Sequence, residues 1–392
     1  MALVGWRRRG VGVTEGAAAG RTILTLNAGS SSLKLGLFAA SGEEQLAEAR
    51  VGWEPDQTDG HATPLRQLLA GVDLEAVAAV GHRVVHGGAR FTDAVLIDPD
   101  IREEIAALAG LAPLHNRPAL DVVAATAAML PGLPQVAVFD TAFHATLPPS
   151  AFLYALPYAW YERWGVRRFG FHGLSHAYAA GRAAELLGRA AADLKLVSCH
   201  LGGGCSLAAI AGGRSVATTM GFTPLDGVVM ATRPGAVDPG VVTFLVGAGG
   251  MEVSDLEAAL YHQSGLAGVS GLSGDMRELL AARAAGHGRA ALAFDLYVAR
   301  LREGIGAMAA ALGGLDAVVF TGGVGEAASE VRAAACDRFE WLGLGLDEAA
   351  NADAVPDAAI ARPDSRVRVL VLRSREGLMI ARETARLLGS GR

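Results

Sequence analysis

The sequence predicts an α/β fold made of two similar halves, and three observations carry that prediction. Short aliphatic runs alternate with alanine-rich amphipathic stretches, as strands do when helices cross over between them. Each half holds a strand–turn–strand unit with a small-residue turn: ILTLNAGSSSLKLGLF and LKLVSCHLGGGCSLAAIAGGRSVA superpose when Ser32-Leu33 is laid on Ser206-Leu207. The chain has 392 residues, 51% hydrophobic and 19% charged, enough apolar material for two cores and too much for a disordered chain. Two such halves are expected to face each other across a cleft.

The elements follow in order. Residues 1–20 carry an arginine cluster without an apolar stretch, so they read as a disordered extension or a start codon placed too early, not as a secretory signal. From Arg21 the first hairpin runs through the turn Asn27 to Lys34. VAAVGHRVVHGG is a strand entering a Gly-Gly turn, and QVAVFDTAFH is a buried strand ending at Asp140. ALDVVAATAAML, AYAAGRAAELLGRAA and RAALAFDLYVARLREGIGAMAAAL have helical spacing. DAVVFTGGVGEAASEVRAAAC reads as strand, glycine turn and one helix, and VRVLVLRS precedes a last helix, GLMIARETARLL.

Composition removes several function classes. The net charge of −6 gives no basic excess for nucleic acid, and no apolar run is long enough to span a bilayer. Three cysteines, Cys199, Cys205 and Cys336, do not make a disulfide framework, so the expectation is a soluble cytoplasmic protein. Only Lys34 and Lys195 are lysines among 34 basic residues, so Lys34 stands out in a chain whose generic cation is arginine.

Three glycine-rich turns follow three separate strands: Asn27 to Lys34, His200 to Ser206, and Gly322 to Glu326. Small residues let backbone N–H groups approach an anion, and a helix N-terminus favours negative charge. Each turn alone could equally be an ordinary tight turn; three together argue for phosphate. None is a Walker loop. Arg83, Arg233 and Arg277 could clamp oxyanions bidentately or form surface ion pairs. His82/His86 and His172/His176 have i, i+4 spacing, which raises a zinc hydrolase as a competing reading, although no HExxH or CxxC occurs. For His176 the alternatives are a helix capped by Ser175 or a buried hydrogen-bonded imidazole; for His172 an anion-stabilising role is expected. Asp140 and Glu376, acidic groups at strand ends, must be paired or working, and suit Mg²⁺; helix N-terminal capping is the other account of Glu376.

Taken in order, NAGSSSLK, HRVVHGG, APLHN, VFDTAFH, RRFGFHGLSH, CHLGGGCS, MGFTPLDG, TRPGAVDPG, GLSGDMR, FTGGVGE and LMIARET resemble the acetate kinase family of acetate and propionate kinases, from about residue 22 to residue 388. The resemblance implies the duplicated actin-like (ribonuclease H-like) fold of the actin, Hsp70 and sugar-kinase superfamily, with a central cleft. It implies an N-terminal domain of 21–145 plus 379–392 and a nucleotide-binding domain of 146–378. It also implies reversible, Mg²⁺-dependent phosphoryl transfer from ATP to acetate, giving acetyl phosphate and ADP, in a homodimer. By that resemblance Asn27 and Glu376 are Mg²⁺-associated, and Ser32 and Lys34 contact phosphate. Arg83 binds the carboxylate, Asp140 is the catalytic aspartate, and His172 and Arg233 stabilise the transferring phosphoryl group. Val85, Leu114, Phe171 and Pro224 line a pocket for the acyl methyl. The nucleotide segments are His200, Leu201, Gly202, Gly203 and Gly204; Asp275, Met276 and Arg277; and Gly323, Val324, Gly325, Glu326 and Ala327.

The chain departs from the family pattern at Leu174, Gly203, Ala236, Ala327 and Gly377, mostly on the nucleotide side. Each lost side-chain amide removes a hydrogen bond worth roughly 0.5–1.5 kcal/mol, so weaker ATP binding or another donor such as pyrophosphate is an alternative. Propionate or butyrate as acceptor is another. A reading from a different class, a nucleotide sensor without transferase activity, is disfavoured by intact Arg83, Asp140 and Arg233.

Overall fold

The computed structural model describes residues 7–8, 21–29, 32–52, 61–108 and 113–389. The chain divides into two compact units, Met1–Phe143 with Arg375–Arg392, and His144–Ser374. Residues 375–378, Glu376 among them, thus fall with the first unit, whereas the resemblance placed them in the second domain.

The first unit is built on a seven-stranded sheet in the order β1-β4-β3-β2-β5-β7-β6. Its strands are β1 (Arg7–Arg8), β2 (Thr22–Ala28), β3 (Ser32–Ala39), β4 (Gln45–Gly52), β5 (Val77–Val84), β6 (Val95–Leu96) and β7 (Gln135–Phe139). The second unit has six strands in the order β10-β9-β8-β11-β13-β12: β8 (Lys195–Leu201), β9 (Cys205–Ala211), β10 (Arg214–Thr218), β11 (Ala317–Thr321), β12 (Ala358–Ala359) and β13 (Arg368–Val371). β1 pairs Arg7 with Glu48 and Arg8 with Ala47; the rest of the extension 1–20 lies outside the described residues.

Apart from β1, the two sheets have the same topology. In the first, β3 is antiparallel to both β4 and β2, β2, β5 and β7 are parallel, and β6 closes antiparallel on β7. In the second, β10, β9 and β8 are antiparallel, β8, β11 and β13 parallel, and β12 antiparallel on β13. This is the duplication anticipated from the hairpins. The turns are not equal, however. The last pair before the first turn is Ala28 with Leu33, five positions apart, whereas at the second it is Leu201 with Cys205, four apart.

Burial follows the sequence pattern. β2, β7 and β11 are buried along their whole length, as expected for parallel strands covered on both faces. Outer β4 instead alternates buried and exposed side chains from Ala47 onward. The helix Gly173–Leu187 covers β8 and β11, and Gly188 ends it in a left-handed cap. The helix Gly288–Leu312 buries Phe294, Tyr297, Leu301, Ile305 and Met308 at helical spacing, against β9 among other elements. The single helix expected after β11 is two, Gly322–Ala327 and Ser329–Cys336, broken at extended Ala328. In the first unit the helix Glu376–Gly389 lies across β2 and β5. It approaches so closely that a Cβ at Gly81 would sit 2.4 Å from Thr384 Oγ1 and 2.6 Å from Ile380 Cγ2. That approach fixes where Glu376, the helix's first residue, stands.

Candidate active site

In the first unit the predicted polar residues gather at the carboxyl ends of the three parallel strands. Asn27 is the penultimate residue of β2, Arg83 the penultimate residue of β5, and Asp140 follows β7, its N–H donating to Val84 O at 3.1 Å. Open α/β sheets bind ligands at such ends. Arg83 Nε donates to both Asp140 carboxylate oxygens at 3.1 Å, and Nη2 donates to Oδ2 at 2.5 Å. Arg83 Nη1 donates to Asn27 Oδ1 at 3.2 Å, and Asn27 Nδ2 donates to Glu376 Oε2 at 2.6 Å. Asp140, Arg83, Asn27 and Glu376 are thus one continuous network. Burial disfavours the charge on Arg83, but the Asp140 and Glu376 carboxylates outweigh it and hold the guanidinium pKa above its ordinary value. These bonds engage three of the guanidinium's five N–H groups, leaving two to meet an oxyanion.

Lys34 is exposed and pairs in register with Asn27 on one side and Arg50 on the other, so the cations and the amide form a row across β2, β3 and β4. Ser32 is buried and its Oγ accepts from Arg50 Nε at 3.2 Å. Val85 is buried just past β5; Leu114's side chain lies outside the described residues. Asn116, which the sequence reading left unassigned, pins the loop after β5: its Oδ1 accepts from His86 N–H and its Nδ2 donates to His86 O, both at 3.0 Å.

The second unit collects histidines. His172 precedes the helix Gly173–Leu187 with φ 56°, a left-handed conformation a non-glycine residue adopts at a cost of roughly 1–3 kcal/mol, and one that clusters at functional sites. Its Nδ1 lies 2.9 Å from Ser206 Oγ, and its ring stacks on that of His200 with centroids 4.3 Å apart. His200 Nδ1 lies 2.8 Å from Ser175 Oγ, so Ser175 serves an imidazole rather than capping the helix. His176 is the buried, hydrogen-bonded imidazole: Nδ1 meets Ser198 Oγ at 2.9 Å and Nε2 meets Ser206 Oγ at 2.8 Å. Ser206 Oγ thus meets both histidines of this i, i+4 pair. His82 and His86 lie on β5 and the loop after it, and His86 Nδ1 accepts from Gly88 N–H at 2.9 Å. No group of three or more metal-ligating side chains occurs among the described residues.

The triple glycine has a steric reason at Gly204. A Cβ there would lie 2.8 Å from Arg233 Nη2 and 3.1 Å from His172 Nε2, so both side chains lean over a bare stretch of backbone. A Cβ at Gly203 would meet nothing within 4 Å. Arg233 donates from Nη1 to Pro224 O at 2.8 Å, and burial lowers its pKa. Phe171 and Pro224 are both buried.

The three segments expected to meet a nucleotide share a common framework. Ala231 N–H donates to Gly203 O at 3.2 Å, and Gly274, beside Asp275, lies against Ala231, where a Cβ would be 2.7 Å from the carbonyl oxygen. Gly322 lies against Leu201, where a Cβ would be 2.6 Å from its oxygen. Asp275 caps the helix Met276–Ala284 by accepting from Arg277 N–H at 2.8 Å, and it also accepts from Arg277 Nη2 at 2.6 Å; Met276 is buried and Arg277 exposed. Glu326 Oε1 accepts from Ser374 N–H. Arg332, fully buried, was not anticipated. Its Nη1 donates to Gly325 O and Glu326 O, while Nε and Nη2 donate to Asn351 Oδ1 and O, both at 2.7 Å. It holds the carboxyl end of the helix Gly322–Ala327 through the Gly325 and Glu326 carbonyls.

Fold and strand ends together define a duplicated α/β protein whose first unit presents an aspartate-braced arginine and whose second presents glycine backbone beside histidine and arginine, an arrangement made for handling oxyanions. The acetokinase family model matches residues 54–382. Acetate kinase of Nostoc punctiforme is 44% identical over 93% of this chain and 99% of its own, and that of a Synechococcus strain 47% identical over 93% and 99%. Among solved structures, Porphyromonas gingivalis acetate kinase has TM-score 0.84 and 37% identity, covering 94% of this chain and 100% of its own. A propionate kinase from Francisella tularensis has TM-score 0.85 and 35% identity, covering 93% and 98%. The chain belongs to the acetokinase family.

Proposed function

We propose that the protein is an ATP-dependent carboxylate kinase acting on acetate, which it converts reversibly to acetyl phosphate with release of ADP. The observation that carries this reading is the Arg83–Asp140 fork at the carboxyl ends of β5 and β7. A carboxylate is already a nucleophile at neutral pH. One of its oxygens forms the new O–P bond, and the bond from the terminal phosphorus to the bridging oxygen breaks, its electron pair leaving with ADP. No proton has to be removed, so Asp140, with both oxygens on Arg83, acts by holding that guanidinium in place. The remaining N–H groups of Arg83 orient the acceptor and offset its repulsion from the nucleotide. Charge on the transferring phosphoryl oxygens falls to Arg233 and His172, and positioned donors of this kind supply most of the acceleration in phosphoryl transfer.

The Glu376 carboxylate and Asn27 Oδ1 are hard oxygen donors, the set that suits Mg²⁺ when nucleotide phosphates and water complete its shell. A Mg²⁺ held there would neutralise phosphate charge. His200–Gly204, Asp275–Arg277 and Gly323–Ala327 would receive the nucleotide. No helix among the described residues is long and apolar enough to cross a membrane, and we read the protein as cytoplasmic. We also read it as a homodimer. The helix Pro239–Val246 buries none of its residues and leaves Phe244 62% exposed beside exposed Val241 and Val242, apolar surface that a second copy could cover.

Steady-state kinetics over acetate, propionate and butyrate against ATP and pyrophosphate test the reaction: acetate with ATP should give the highest kcat/KM. Nucleotide binding without acyl phosphate from any acceptor would defeat the proposal. Light scattering of wild type and Phe244→Arg tests the dimer: a monomeric wild type would remove it, and a variant that is as dimeric as wild type would remove this helix as its interface.

A further inference from the structure

Arg332 is 1% exposed, and its four hydrogen bonds all run to neutral oxygens. Nη1 donates to Gly325 O at 3.0 Å and to Glu326 O at 2.9 Å, on the helix Gly322–Ala327; Nε and Nη2 donate to Asn351. We infer that Arg332 is a positioning residue for the nucleotide: with Asn351 behind it, it presets the main chain of this helix, so that its loss weakens nucleotide binding more than the transfer step. The inference rests on the nucleotide-receiving role proposed for Gly323–Ala327.

The segment offers a ligand little but main chain. Gly322, Gly323, Val324, Gly325 and Ala327 carry no polar side chain, and Glu326, the exception, has its Oε1 on the Ser374 N–H at 2.8 Å. Backbone groups cannot swing to find a ligand as a side chain can, so the place of the backbone decides how well it binds. A helix of six residues does not hold that place by itself: it is unstable alone in water, and its last carbonyls have no partner inside the helix. Both ends are fixed from outside instead. At the start, Gly322 lies against β8, where a Cβ would be 2.6 Å from Leu201 O. At the end, the Gly325 and Glu326 carbonyls go to Arg332.

The geometry calls for a guanidinium. The chain bends at extended Ala328, and Arg332 reaches back across the bend from the next helix, Ser329–Cys336. Its planar fork has five N–H groups, and four are used, two on helix carbonyls and two on Asn351. A lysine presents three donors on one nitrogen and cannot bridge both sets. Asn351 is itself buried and fixed: its Nδ2 donates to Ser329 O and its N–H to Asp347 O, both at 2.9 Å. It therefore ties the guanidinium to the first residue of the second helix and sets the bend between the two. Burial disfavours the charge on Arg332 and lowers its pKa, so stability alone is a poor reason for an arginine here; holding two helix carbonyls in a fixed relation to Asn351 is a better one.

Calorimetric titration with ADP and steady-state kinetics test this together. Arg332→Met, which keeps the length of the side chain without its donors, should raise the Kd for ADP and the KM for ATP about 10-fold, the worth of one or two hydrogen bonds. The kcat at saturating ATP and the KM for acetate should change far less, the pattern of a lost binding interaction. A purely structural defect would lower the active fraction and leave every KM as it was. Arg332→Lys should not restore affinity. Asn351→Leu, which leaves Arg332 in place but unbraced, should raise the Kd for ADP by less, and Asn351→Asp, which keeps an acceptor for Nε, should stay nearer to wild type. Hydrogen exchange reads the same device without a substitution: the amides of 322–328 should exchange slowly in wild type before nucleotide is added. A folded Arg332→Met with the wild-type Kd overturns the inference. So does a KM for acetate that rises in step with that for ATP, or a wild-type segment that exchanges fast until ADP arrives. Should Arg332→Met not fold, Asn351→Leu and the exchange measurement decide. A wild type that binds ADP but forms no acyl phosphate would instead defeat the proposed function and leave the Kd comparison standing.

Discussion

Asp140→Asn is the most searching single change. The carboxylate is 1% exposed and receives three contacts from a guanidinium that is itself 12% exposed. The amide keeps one oxygen that can accept, but it turns an NH₂ toward N–H donors and removes the counter-charge. Losing one charge-assisted hydrogen bond costs about 1.5–3 kcal/mol, and breaking a buried pair outright costs about 3–5 kcal/mol. Glu376 remains coupled to Arg83 through Asn27, so the expected loss lies between these, about 2–4 kcal/mol. Against a stability of about 5–15 kcal/mol the protein still folds.

Turnover should fall much further than stability implies. Arg83 is held on three sides, and without Asp140 only the Asn27 contact fixes its plane, so the two N–H groups meant for the acceptor lose their aim. Removing one preorganised donor to developing charge costs roughly a factor of 10²–10³, and the expected fall in kcat is of that size. Hydroxylamine trapping of acyl phosphate measures turnover, and calorimetric titration with nucleotide should find affinity unchanged, because the nucleotide segments lie elsewhere in the chain. Asp140→Glu, which keeps the charge and displaces it by a methylene, should recover stability more than rate. A kcat for Asp140→Asn within a few-fold of wild type would refute the bracing role.

Gly81→Ala should destabilise by about 1–3 kcal/mol in thermal unfolding and lower kcat as well, since the helix that must move aside begins with Glu376. Gly204→Ala should cut kcat with the fold retained, because the new methyl displaces Arg233 and His172; an unaffected kcat would remove the steric argument for the triple glycine. Gly203→Asn, at a position with open space, should lower the KM for ATP by a factor of about 2–10, the worth of one hydrogen bond; a raised KM would count against nucleotide at this turn. Burial lowers the pKa of His82 and His144 to about 4 and drives that of His176 well below its ordinary value. Between pH 6.5 and 4 the unfolded chain therefore binds protons that the folded chain refuses, so stability rises with pH across this window, by up to about 3 kcal/mol per histidine. Urea midpoints that stay flat from pH 4.5 to 6.5 would contradict this.

What the sequence made legible was local. Asn27, Arg83 and Asp140 each end a strand whose apolar run is obvious, and a polar residue there has to face the ligand side of the sheet. The duplication was legible for the same reason, since a hairpin is a contiguous signal. What escaped depends on residues distant in sequence. Arg332 and Asn351 are 19 positions apart and neither sits in a motif, yet together they hold the Gly323–Ala327 turn. Ser198 and Ser206 lie inside apolar strands, where a serine resembles a small filler until the imidazoles of another element arrive. The i, i+4 spacing of His172 and His176 was visible, but not that His172 precedes the helix on which His176 lies, nor that Ser206 would meet both rings.

The two sheets repeat one topology, but their strand ends have diverged. At the end of β2 stands Asn27, tied to Glu376; at the equivalent end of β8 stands His200, followed by three glycines. At the end of β5 stands Arg83; at the end of β11, Thr321 leads into the bare backbone of Gly322 and Gly323. One unit places charged side chains braced by carboxylates at its strand ends, the other places glycine main chain there. That difference suits two anions of different kinds. A small carboxylate offers a single two-oxygen edge, which a forked guanidinium matches, and a guanidinium keeps its aim only when its other edge is held. A polyphosphate offers many oxygens along its length, which a run of backbone N–H groups can follow if no Cβ intervenes. Divergence of the strand ends on a retained scaffold is therefore a sufficient physical route from one duplicated sheet to a two-substrate enzyme.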